Sequence, residues 1–64
     1  MTLEKAIELI TIQVELGSGY NRNSAKLILA EVQRIHGQAA VDDLIKKLEL
    51  EYHFGFKPGE HISI

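Results

Sequence analysis

The sequence predicts an all-α protein: three helices in one small domain, a short extended C-terminal tail, and association as a dimer. Three observations lead there. Apolar residues recur at helical spacing in three separate stretches. Glycines stand between the stretches. Apolar residues also remain outside the inner faces, more than three short helices without a staple can cover. Symmetric pairing is the commonest way to hide such a surplus.

The first helix is expected from about Leu3 to Leu16. Thr2 is its N-cap candidate, and Glu4 falls in the first turn, where the helix dipole favours a carboxylate. Leu3, Ala6, Ile7, Ile10 and Val14 form one stripe. Leu9, Ile12 and Leu16 form a second, on nearly the opposite side, facing a second partner. A strand alternative exists, because residues 10–16 and 48–56 also alternate apolar with polar and could pair. The acid–base pairs at i,i+4 and the lack of turn signals before Gly17 and Gly55 favour helix.

The stretch from Gly17 to Asn23 is a loop with strong turn chemistry. Asn21 or Asn23 can cap the second helix, with Tyr20 stapled towards Ala25. That helix runs to about His36, with Ala25, Ile28, Leu29, Val32 and Ile35 on its inner face and Leu27 and Ala30 behind. Gly37 is a natural stop, preceded by Arg34 and His36 in the last turn.

The third helix is expected to run unbroken from just after Gly37 to about Phe54. Val41, Leu44, Ile45, Leu48 and Tyr52 form its stripe, with Leu48 at the centre. Asp42 with Lys46, and Asp43 with Lys47, are acid-before-base pairs on its outer side. Gly55 would end it in a left-handed conformation and fold Phe56 back on Leu50. Pro58-Gly59 would then turn the tail. Tyr52, Phe54 and Phe56 either close the bottom of the core or form an exposed anchor, and the tail brings Ile62 and Ile64 to the body of the protein or to a partner. As one hydrophobic surface, Tyr52, Phe54, Phe56, Ile62 and Ile64 are the first choice for an interface.

Size and composition bound the function. The chain has 64 residues, one domain over 1–64, and a domain this small buries only about 60% of its unfolded surface. Hydrophobic residues make up 45% and charged residues 25%, a globular balance. With no cysteine there is neither a disulfide nor a thiolate metal site. The first apolar run is broken by Glu4, Lys5 and Glu8, which fits neither a signal peptide nor a membrane span. A cytoplasmic protein with no membrane partner is expected.

Little in the chain suggests catalysis. His36, His53 and His61 lack zinc-ligand spacing and read as dipole-capping or solvated side chains. Ser18 between glycines is not a nucleophile elbow, because the turn joins two helices rather than a strand and a helix. Neither an enzyme nor a cofactor is expected. One anion site is a candidate, where Gly19, Asn21, Arg22, Asn23 and Lys26 surround a helix start. The Walker lysine is missing there, so the plain reading is a capped connection. The expected function is a helical protein–protein interaction or regulatory module acting as a homo-oligomer. The alternative is a helix-turn-helix DNA binder, with Gln38 reaching a base edge. Nucleic acid is the weaker reading, since the net charge is −2 and Asp42, Asp43 and Glu49 lie where phosphates would pass.

Overall fold

A computed structural model of the chain describes residues 1–17 and 21–62. All its regular structure is helical: α1 (Leu3–Leu16), α2 (Asn21–His36), α3 (Gln38–Lys47) and α4 (Leu50–Phe54). The strand pairing of 10–16 with 48–56 is not formed. Helix α1 packs along α2, α2 against α3, and α3 against α4. The radius of gyration is 10.2 Å, close to the roughly 11 Å of a globular chain this long.

Helix α1 begins and ends as its residues dictate. The Thr2 hydroxyl accepts the Lys5 N–H at 3.1 Å. Gly17 closes the helix at φ 65°, and its N–H donates to the carbonyls of Gln13 and Val14. Ala6 and Ile10 are buried, with Ile7 and Val14 packed beside them. Helix α2 already includes Asn21 and Asn23 as helical residues. The expected staple by Tyr20 lies outside the described residues. Ala25, Leu29 and Val32 are buried. One expectation for this helix is corrected, since Ile35 is exposed rather than inside; Ala30 is half-buried, packed against the edge of the core.

The expected third helix is two helices. Leu48 and Glu49 form a turn, and Glu49 stands at φ 54°, ψ 45°, in the left-handed region. The reason lies in Leu50. At 100° per residue, Leu50 falls half a turn away from Val41, so an unbroken helix would expose it. The break turns Leu50 inward to full burial and turns Tyr52 out, 85% exposed. One left-handed non-glycine residue costs about 1–2 kcal/mol. Burying Leu50 and Phe56 together is worth roughly 1.5–3 kcal/mol each, so the break wins. Leu48, expected at the centre of the stripe, is only half-buried.

Gly55 ends α4 at φ 80°, its N–H donating to Glu51. The Phe56 N–H donates to the Leu50 carbonyl at 3.3 Å, which folds the chain back as expected. Leu50, Phe56 and Ile62 join Ala6, Ile10, Ala25, Leu29, Val32, Val41, Leu44 and Ile45 in one core. The pairs Asp42–Lys46 and Asp43–Lys47 are not closed. Among the described residues the ion pairs are Lys5–Glu8, at 3.4 Å, and Glu31–Arg34, both three residues apart on a helix.

Candidate interaction surface

The second stripe of α1 faces away from the core. Leu16 is 65% exposed and Ile12 43%, while Leu9 is half-buried. On α2, Leu27 is 54% exposed and Ile35 45%, with Ile28 half-buried between them. At the open end of the α1–α2 pair, His36 Nε2 lies 3.0 Å from the Met1 carbonyl, which can only accept. Spacings of three and four align Leu9, Ile12 and Leu16 on α1; on α2 Ile28 and Ile35, seven apart, share a side, and Leu27 lies about 100° round from Ile28. The exposed sides of α1 and α2 thus carry an interrupted apolar strip. Glu31 stands in the row between Leu27 and Ile35 and is paired with Arg34, and Lys5, one turn before Leu9, is paired with Glu8.

The C-terminal candidates do not gather into one surface. Phe56 and Ile62 are buried in the chain's own core, so they are structural here. Phe54 is half-buried and meets Phe56 edge-on at 6.2 Å. Tyr52 stands out alone, edge-on to His53 at 5.1 Å. Ile64 lies outside the described residues. Of the expected set, Tyr52 is exposed, Phe54 half-buried, and Phe56 and Ile62 are core. The left-handed Glu49 that separates them has no signature in the sequence, since Glu is an ordinary helix former.

The anion candidates are drawn into structure of their own. Arg22 Nε donates to the Phe54 carbonyl at 2.8 Å, and its guanidinium lies 4.5 Å from the centre of the Phe56 ring. It joins the start of α2 to the end of α4, where a cation meets free carbonyls and a π-face. Asn21 is half-buried, Asn23 exposed and Lys26 half-buried. Gly19 lies outside the described residues. Among the described residues no three of His, Asp and Glu come together as a metal site. Nor is any helix long and apolar enough to cross a membrane.

Gln38, the residue offered for base reading, is already committed. Its Nε2 donates to Asp42 Oδ1 and to the Glu60 carbonyl, both at 2.9 Å. Asp42 also accepts the Gly59 N–H at 2.7 Å. That bond first, and then the Gln38 amide, hold the Asp42 carboxyl below the ordinary aspartate value; desolvation opposes them, and the charge of Lys46 adds the least. Sequence reasoning passed over Gln33, Gln38 and Asp42 as tail-binding residues, because amides bonding a distant main chain leave no periodic trace.

Comparison with protein families, curated proteins and solved structures finds no match to this chain.

Proposed function

We propose that the chain is a helical interaction module that acts as a homo-oligomer, binding rather than catalysing, in the cytoplasm. The observation that supports this reading is the exposure of four large apolar side chains on α1 and α2, Ile12, Leu16, Leu27 and Ile35. A strip shared by two helices suits an isologous two-fold pairing, in which the same residues meet their own copies. A standard interface takes roughly 800 Å² from each partner, about a fifth of this chain's 4046 Å². A face of a molecule 27 × 22 × 21 Å in extent is of that order. The absence of cysteine fits a reducing compartment.

Light scattering across a concentration series tests the reading. A mass that rises to a multiple of 7.2 kDa supports it, and the double substitution Ile12→Glu with Leu27→Glu should return it to 7.2 kDa. A wild-type chain that stays at 7.2 kDa in the millimolar range sinks it. Helix-turn-helix binding has less support, because Gln38 is engaged by Asp42 and the tail. Affinity for random duplex DNA that falls steeply with salt would restore it.

A further inference from the structure

After α4 the chain turns and runs back over α2 and α3. The Glu60 N–H donates to the Lys57 carbonyl at 3.2 Å, with Pro58 and Gly59, at φ 88°, inside the turn. Beyond it, three side chains bind four main-chain groups. Asp42 accepts the Gly59 N–H at 2.7 Å, and Gln38 donates to the Glu60 carbonyl at 2.9 Å. Gln33 does both at once: its Nε2 donates to the Ile62 carbonyl and its Oε1 accepts the Ile62 N–H, each at 2.9 Å. An amide that bonds both polar groups of one residue does what a neighbouring strand does in a ladder. Such a pairing demands an extended backbone and does not read the side chain beside it. The Ile62 side chain is buried, while Glu60 and His61 are exposed, the His61 ring Nε2 lying 3.4 Å from Gln33 Nε2. Main-chain bonds for affinity, with a pocket for one side chain, are how peptide-binding grooves work.

We propose that the groove on α2 and α3 is a peptide-binding site, filled in cis by residues 59–62 and able to take the same segment of a second copy. The ligand is an extended peptide with one aliphatic side chain. A second copy is the occupant because its tail already fits: exchange preserves the bonds from Gln33, Gln38 and Asp42 and changes the path between Gly55 and Gly59, which carries the buried Phe56 and the start of the Lys57–Glu60 turn. The three binding side chains are not fully buried, so opening returns them to water rather than leaving polar groups stranded. This contact is separate from the α1–α2 strip and does not depend on it.

The test uses a synthetic peptide of residues 57–64 and the full-length chain carrying Ile62→Asp, whose own strap cannot refill the pocket. Saturable shifts of the Gln33 and Gln38 side-chain amides are expected, with at least tenfold weaker binding to the wild-type chain, whose strap competes. A folded Ile62→Asp chain that shows no such shifts at millimolar peptide overturns the proposal. Native-state hydrogen exchange on the wild-type chain guards against a variant that does not fold. The Gly59 and Ile62 amides should exchange at least tenfold faster than those of Leu29 and Leu50. Equal protection would mean that the strap leaves only on global unfolding, and the proposal fails. Mixing two differently labelled wild-type samples at millimolar concentration tests the second copy. Contacts between Ile62 of one chain and Gln33 of the other are expected, and their absence overturns exchange between copies. Ile12→Glu with Leu27→Glu should leave peptide binding intact, which separates failure here from failure of the α1–α2 interface.

Discussion

Leu48 and Leu50 differ by two positions and exchange roles at the turn between α3 and α4. Leu50 is fully buried and Leu48 half-buried, so truncation should rank them accordingly. Leu50→Ala is expected to lose about 2–5 kcal/mol, as for other buried leucines, and Leu48→Ala roughly 1 kcal/mol. Denaturant unfolding measures both, and the reverse order would restore the unbroken helix. Asp42 supplies a second test. Its folded-state pKa is depressed, mainly by the Gly59 N–H, so folding favours the ionised form. The stabilisation is complete above the unfolded pKa of about 4 and is lost as pH falls through the lower folded-state value. Acid titration should therefore move the Gly59 amide resonance with a midpoint below that of a free aspartate. Asp42→Asn should abolish the titration while leaving the helices in place.

At the scale of elements, the corner between α2 and α3 turns on one glycine. Gly37 sits at φ 93°, ψ 173°, a region that residues with a β-carbon avoid. No atom lies within 4 Å of where that carbon would stand, so the cost of Gly37→Ala is backbone strain alone. It should be roughly 1–3 kcal/mol, against about 1 kcal/mol for Gly55→Ala in the ordinary left-handed region. Thermal melts of the two variants check the order. Both glycines were legible in the sequence as helix ends, and so were the stripes of α1 and α2, because period and stop residue agree there. The break at Glu49 was not. Local propensity favours continuing the helix through Glu49, and only the competition between Leu50 and Tyr52 for the core overrides it. That one turn accounts for most of the misplacement among the candidate site residues. It brings Leu50 in, sends Tyr52 out, and points the chain so that Phe56 and Ile62 fill the core instead of a surface. Ile12 and Leu16 were legible as outward-facing because their stripe is opposite one that a single core must use.

For the whole molecule, the balance lies between a small core and an apolar outer strip. Eleven buried hydrophobic residues form the core, and Ile12, Leu16, Leu27 and Ile35 stay at least two-fifths exposed. If copies pair through that strip, folding and association are linked, and the melting temperature depends on protein concentration by mass action. For the wild-type chain we expect the melting temperature to climb by several degrees between micromolar and millimolar protein. Each kcal/mol of linkage moves a domain of this size by roughly 4–8 °C. Leu16→Glu or Leu27→Glu should flatten that dependence. Neither side chain is in the core, so the dilute-limit melting temperature should barely change. Gln33→Leu offers a contrast: it removes the two bonds to Ile62 within the chain and should lower the melting temperature at every concentration without altering the slope. Calorimetry over the same series distinguishes the cases. A wild-type melting temperature independent of concentration would mean that the strip contributes nothing between copies at these concentrations.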